Sequence, residues 1–155
     1  MKVSRKGVRF VAAFEGFRKC PYKDVVGVWT IGYGTTHGVH KTTPCISKRK
    51  ARKFLRYDLT HIYLKAVPRA GRMEQCELDA LASFAYNLGT GAVSNPAIST
   101  LARRLKSNEG KTYERRKRIY REEIPKWNKA GGHTWAGLVR RRKAEVRLAC
   151  KGKYS

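Results

Sequence analysis

The stretch that decides the fold is residues 14–38, FEGFRKCPYKDVVGVWTIGYGTTHG. Upstream of it, Phe10, Val11, Phe14 and Phe17 recur at helical spacing and Ser4 is a natural N-cap, so Ser4 to Phe14 reads as a short amphipathic helix. Gly16 suits that helix's end. Glu15 then sits at the C-terminal end, where a carboxylate is disfavoured by the helix dipole. Residues placed against local physics are often functional. Residues 21–38 are rich in β-branched and aromatic side chains and punctuated by Gly27, Gly32, Gly34 and Gly38, which reads as small strands joined by tight turns. Asp24 lies just before the first turn and Thr30 on the second strand.

Downstream the pattern turns helical. Ser47 caps a helix predicted to run to about Val67, with Phe54, Leu55, Leu59, Ile62 and Ala66 as its apolar stripe and Pro68 beyond its end. Glu74 to Leu88 comes next, closed by Gly89, with Leu78, Leu81, Phe84, Ala85 and Leu88 inward. A short helix is expected near Pro96 to Leu105. Another is capped by Thr112 and stops before Pro125. A last one is capped by Thr134, with Trp135, Leu138, Val139, Val146 and Ala149 on one side. The fold class is α+β within one domain, residues 1–155. The expected layout is a small hairpin lobe (about 15–50) and a larger helical lobe (about 70–155), with the helix at about 47–67 connecting them and the N-terminal helix packed on the larger lobe.

The chain has 155 residues, 41% of them hydrophobic, which supports a real core. Thirty-five Lys and Arg against eleven Asp and Glu give a net charge of +24. The excess is not uniform. Residues 1–56 hold fourteen bases and two acids (+12), residues 57–99 three bases and four acids (−1), and residues 100–155 eighteen bases and five acids (+13). Such a field implies a polyanionic partner. No apolar run approaches the ~20 residues of a membrane-spanning helix, and the opening stretch, broken by Arg9 and stopped at Glu15, argues against a signal peptide. Cys20, Cys45, Cys76 and Cys150 show no metal-ligand spacing. They read either as reduced thiols or as two bridges, of which sequence proximity suggests Cys20–Cys45 and Cys76–Cys150. His37, His40, His61 and His133 have no ligand-like spacing either.

Within fourteen bases, the first third retains only Glu15 and Asp24 as acids. The spacing is Glu15, eight residues, Asp24, five residues, Thr30. Taken singly these are an ordinary helix-end carboxylate, turn residue and strand residue. Together they match the catalytic Glu, Asp and Thr of the phage-type lysozymes, the endolysin family of glycoside hydrolases, which the chain resembles. The resemblance continues in DVVGVWTIGYGT, in SFAYNLGTGAVSNPAISTLARRL and in KWNKAGGHTWAGLVRRRKAE. It spans roughly residues 7 to 150 in order. One departure stands out: many members carry His directly after the hairpin's second glycine, whereas Thr35 follows Gly34 here, at what the resemblance makes the lip of the cleft.

Glycoside hydrolysis needs an acid to protonate the leaving oxygen and a second group on the opposite face of the sugar. The resemblance implies that Glu15 is the acid and that Asp24 activates water positioned by Thr30, with inversion at the anomeric carbon. Inversion calls for carboxyls roughly 6.5–9.5 Å apart. Burial beside Phe14 and Phe17 favours the protonated acid, while a neighbouring arginine, one of Arg140, Arg141 or Arg142, favours the carboxylate but fixes its orientation. Tyr86 and Thr100 fall where family members contact glycan; as bare residues they read as a core aromatic and a helix-start hydroxyl. Trp127 and Trp135 read as core residues. The implied substrate is the β-1,4 bond between N-acetylmuramic acid and N-acetylglucosamine in peptidoglycan, with no cofactor. The implied protein is a monomer held in the host cytoplasm until a holin-type pore admits it to the wall. Anionic wall polymers are candidate second partners. The competing readings are a nucleic-acid binder, against which no recognition motif appears, and membrane disruption by the basic last helix. Among enzymes the nearest competitor is a lytic transglycosylase.

Overall fold

The computed structural model describes residues 1–155. Helix α1 spans Arg5–Phe14, capped by Ser4, whose Oγ accepts from the Gly7 amide at 2.9 Å. Val8, Phe10 and Val11 are buried, while Phe14 is 38% exposed. Gly16 does not supply the helix end: Glu15 itself leaves the helix in an extended conformation (φ −100°, ψ 139°) and Gly16 is not left-handed. Strands β1 (Arg18–Lys23) and β2 (Trp29–Gly32) form the expected antiparallel hairpin, with Tyr22 opposite Thr30.

Helix α2 begins at Lys48 under a Ser47 cap, runs to Asp58, passes through a π-helical turn, Leu59–Tyr63, and closes as Leu64–Ala66. The π turn adds a residue to the repeat and rotates the last turn of the helix. Leu55 and Leu59 are therefore buried as expected, but Ile62 is 44% exposed and Leu64 takes the inward position.

Helix α3, Gln75–Leu88, is the centre of the molecule: every residue from Glu77 to Ala85 is buried. An all-round buried helix must satisfy its polar members internally. Glu77 does so through Arg116, which is fully buried and donates to both Glu77 oxygens, at 2.7 and 3.0 Å, and to the carbonyls of Ala70, Arg72 and Gly110. Asp79 accepts from the Ser4 amide, Gln75 and Tyr154. A Cβ at Gly7 would lie 2.5 Å from its carboxyl carbon, so α1 seats closely on α3.

Short helices α4 (Gly91–Ser94) and α5 (Thr100–Lys106) come next. The expected start near Pro96 is thus corrected: residues 96–98 form a turn, and Ser99 caps α5 by accepting from the Ala102 amide. Helix α6, Tyr113–Glu123, begins under Thr112 and gives way to a 3-10 turn at Ile124–Lys126. A two-residue hairpin, β3 (Lys129–Ala130) and β4 (His133–Thr134), turns through Gly131 and Gly132, both at positive φ. Helix α7, Ala136–Lys151, packs along α3 more extensively than any other pair of elements. Its start also differs from expectation. Thr134 belongs to β4, Trp135 occupies the cap position without a side-chain cap, and the buried face is Arg141, Arg142, Glu145, Leu148, Ala149 and Cys150 rather than an apolar stripe. No helix is long and apolar enough to cross a membrane.

Cys20 and Cys45 form a disulfide between β1 and the segment before α2. Of the two alternatives open for Cys76 and Cys150, the structure has the reduced one: both are free thiols. Cys150 donates toward the Lys117 carbonyl, and Cys76 contacts the Tyr113 hydroxyl and the Ala149 carbonyl.

Candidate active site

The end of α1 places Glu15 on the wall of a groove of about 720 Å³, lined also by Phe14, Asn87, Trp135, Leu138 and Arg141. Three adjacent arginines compete for the place beside Glu15, and the helical turn of α7 settles the choice. Arg140 is exposed, Arg142 points to Asn87, and Arg141 Nη1 donates to Glu15 Oε1 at 2.7 Å. Arg141 is itself anchored, with only 5% of its surface exposed. Its guanidinium lies over the Phe14 ring, its Nε reaches Glu145 Oε1 at 3.3 Å, and its Nη2 reaches the Ser83 carbonyl at 3.3 Å. Glu145 is fully buried, receives the Ser83 hydroxyl at 2.8 Å and holds Arg142 at 3.1 Å. Burial pushes the Glu145 carboxyl above the ordinary range against the pull of Arg142 and Arg141. Burial likewise pushes Arg142 down to about 10. Two carboxyls, Glu15 and Glu145, thus face two guanidiniums, Arg141 and Arg142, within one cluster.

Glu15 is thus fixed through one oxygen, while Oε2 makes no hydrogen bond within the chain. Asp24 shows the same division. Its Oδ1 accepts from the amides of Val26 at 3.0 Å and Val28 at 2.8 Å, which closes the hairpin turn and leaves Oδ2 unused. Thr30 is buried and donates its hydroxyl to the Val28 carbonyl at 3.0 Å, so toward any further partner that hydroxyl can only accept. Asp24 and Thr30 are tied to each other through Val28. They lie on the hairpin, and neither lines the groove that holds Glu15.

Tyr86, on α3, donates its hydroxyl to the Tyr33 carbonyl at 2.6 Å and meets Tyr63 edge to face. Gly34 makes this possible: it sits at φ +108°, and a Cβ there would lie 2.6 Å from the Tyr86 oxygen. Burial, followed by the nearby Glu15 charge, pushes the Tyr86 phenol far above its usual range, so it stays protonated. Thr100 opens α5, with Arg103 near its hydroxyl at 3.4 Å. Thr35 is buried and donates to Asp58 Oδ2 at 2.7 Å, beneath the hairpin.

Sequence reasoning missed Ser83, Asn87 and Glu145 as supports for Arg141 and Arg142. The four-residue step from Arg141 to Glu145 was a readable signal. It also placed Trp135 in the core. Trp135 is 59% exposed and lines the groove, with its indole N–H donating to the Ala130 carbonyl. Trp127 does pack inward, edge-on to Phe84.

A helix-end glutamate pinned by a buried arginine, beside a small hairpin and over a helical body, defines a lysozyme-like α+β protein. The phage lysozyme family model matches residues 12–145, and the chain belongs to that family. It is 38% identical to an endolysin of Bacillus phage B103 over 98% of its own length and 55% of that protein's. The chain spans about half the length of the first curated relatives it matches. Among solved structures it is similar to an endolysin from Escherichia coli O157:H7 phage FAHEc1, with TM-score 0.74, 30% identity and coverage of 100% of this chain and 97% of that one. It is also similar to the muramidase domain of SpmX from Asticaccaulis excentricus, with TM-score 0.73, 31% identity and coverage of 95% and 96%.

Proposed function

We propose that this chain hydrolyses the β-1,4 bond between N-acetylmuramic acid and N-acetylglucosamine in bacterial peptidoglycan, with inversion. The observation that carries the reading is the Glu15 carboxylate held on the groove wall through one oxygen, with the other left free. The free Oε2 is the atom to carry the proton to the leaving oxygen, because Oε1 is occupied by Arg141. Asp24 Oδ2 takes a proton from water as that water attacks the anomeric carbon. The Thr30 hydroxyl, its own proton committed to Val28, accepts the water's second hydrogen and so orients it. One water is consumed, one proton passes to Asp24 and one leaves Glu15. In this reading a bound glycan bridges from the Glu15 groove to the hairpin, so that Asp24 and Thr30 face the opposite side of the sugar from Glu15, in general acid and general base catalysis across one ring.

In this reading, Tyr86 and Thr100 contact glycan. Because the Tyr86 hydroxyl is already a donor to Tyr33, its contribution comes through the ring edge and the remaining lone pair. The names of the relatives, endolysin and muramidase, support the substrate class. The proposal extends to a two-lobed chain joined by the helix at about 47–67, a working monomer, and release to the wall through a holin-type pore.

The test is Glu15→Gln on purified peptidoglycan. A folded variant with almost no turbidity loss supports the assignment; near-normal clearing ends it. Mass analysis of the wild-type fragments should find reducing ends on muramic acid, whereas anhydro-muramic ends would reassign the chain to the lytic transglycosylases. Killing that survives Glu15→Gln would favour membrane action instead.

A further inference from the structure

A second groove, of about 540 Å³, runs between α1 and α2 and is lined by Arg5, Val8, Arg9, Arg49, Arg52, Lys53 and Arg56. Six of the seven are cations, all six are exposed, and none makes an ion pair or a side-chain hydrogen bond. The spacing builds the groove. Arg5 and Arg9 are one turn apart on α1; Arg49, Arg52, Lys53 and Arg56 fall at i, i+3, i+4, i+7 on α2 and so share one face. That face extends over about 10 Å at the helical rise of ~1.5 Å per residue.

The arrangement works against the stability of its own elements. Arg5 with Arg9, Arg49 with Lys53, and Arg52 with Arg56 are like-charge pairs four residues apart, each destabilising. Helix α2 also opens on Lys48, Arg49 and Lys50 with no acid in its first turn, opposite to what its dipole favours. Most of the thirty-five bases make no ion pair, but these six line one groove with no acid among them, unlike the groove at Arg104, Arg115 and Arg118, which holds Glu109 paired to Arg104. Leaving six uncompensated cations on facing helices points to a partner that supplies the missing negative charge.

We propose that this groove docks a flexible polyol-phosphate chain of the cell envelope. Five of the six cations are arginines, whose planar forks match phosphate oxygens in bidentate fashion. The groove is concave and its one apolar member, Val8, is buried, which leaves no apolar edge to enter a lipid surface. It has no aromatic side chain to stack bases and no Asn or Gln to read them, so a nucleic acid would gain only its phosphates. A linear phosphodiester with no base and no bilayer uses all that the groove offers. This docking rests on the wall-hydrolase reading only for where such a polymer is met; the binding itself does not need Glu15.

The experiment measures binding of a fluorescent poly(glycerol phosphate) chain to the intact protein, by anisotropy, from 50 to 200 mM salt. Four engaged phosphates at a slope of about −0.7 each predict roughly 50-fold weaker binding across that range. Arg52→Gln/Lys53→Gln/Arg56→Gln should lose at least about tenfold in affinity at 50 mM and flatten the slope by about 2. Lys41→Gln/Lys151→Gln/Lys153→Gln, with the same net charge, should bind like the wild type. Arg5→Gln/Arg9→Gln tests the other wall should the first variant misfold. Equal losses in the groove and control variants would overturn the proposal, as would no binding, or tighter binding to single-stranded DNA of equal phosphate number or to phosphatidylglycerol vesicles. Release of fragments from peptidoglycan stripped of such polymers should be unchanged in the groove variant. Failure there for the wild type as well would strike the hydrolase reading and leave the docking result standing.

Discussion

Replacing Arg141 by Met keeps an unbranched stem as far as the Nε position and removes the guanidinium, which makes it the sharpest probe of the network around Glu15. Three groups lose a partner, the Glu15 and Glu145 carboxyls and the Ser83 carbonyl, and the two carboxyls dominate the cost. The bond to Glu15, at 2.7 Å with Glu15's side chain 24% exposed, is a charge-assisted contact worth about 1.5–3 kcal/mol. Glu145 is fully buried but keeps Arg142 and Ser83, so its loss falls well short of the ~3–5 kcal/mol for stripping a buried charge of its only partner. The sum is about 3–4 kcal/mol. With a urea slope of about 2 kcal/mol/M this lowers the unfolding midpoint by roughly 1.5–2 M. Glu15→Gln should cost only about 1 kcal/mol, since its amide oxygen still accepts from Arg141. The double variant should then be less destabilised than the two singles added together, by about 1–2 kcal/mol. If Glu15 is the acid proposed above, turnover of Arg141→Met on soluble glycan fragments should fall about 10²-fold, because a loosened carboxyl would no longer meet the leaving oxygen in register. Arg141→Met within about 1 kcal/mol of the wild type, or singles that add with no coupling, would refute the network as the device that holds Glu15.

Three more outcomes are expected. Removing the Cys20–Cys45 bridge as Cys20→Ser/Cys45→Ser opens a loop of sequence separation 25 and should cost about 3.5 kcal/mol in urea unfolding; in the unreduced wild type, a thiol titration under denaturing conditions should count two free cysteines, and four would sink the pairing. Burial holds the Asp58 carboxyl above the usual Asp range, against the Thr35 hydrogen bond and His37, so the folded state binds that proton more tightly and ionisation costs stability as pH rises. Asp58→Asn keeps an acceptor for Thr35. It should therefore match the wild type in urea midpoint near pH 3 and exceed it by a growing margin toward pH 7, whereas an offset that does not vary with pH would contradict the sign. Trp135→Ala should leave the thermal midpoint nearly unchanged, because the indole is mostly exposed, yet raise KM for glycan fragments about tenfold, equivalent to about 1.4 kcal/mol; an unchanged KM removes Trp135 from the binding wall.

Much of this protein is local physics, and local physics is written in the sequence. The Ser4, Ser47 and Thr112 caps and the hairpin of β1 and β2, whose first strand begins at Arg18, arise from side chains interacting within a turn or two of the backbone. So does the position of Glu15 at the end of α1, because the periodicity stops there. Where the sequence misled, a distant contact had overruled a local preference. Val139 and Leu138 do not define the inward face of α7, because Glu145 there accepts from Ser83 and Arg141 and pairs with Arg142, which offsets part of the cost of burying charge. Ile62 turns outward because a π turn inside α2 rotates the end of that helix. Cys76 and Cys150 stay reduced because each thiol packs against partners from another helix rather than against the other. The choice of Arg141 over its two neighbours belongs to this second kind. Three consecutive arginines are chemically alike, and only the rotation of α7 against α1 and α3 decides which of them reaches a carboxylate 126 positions away.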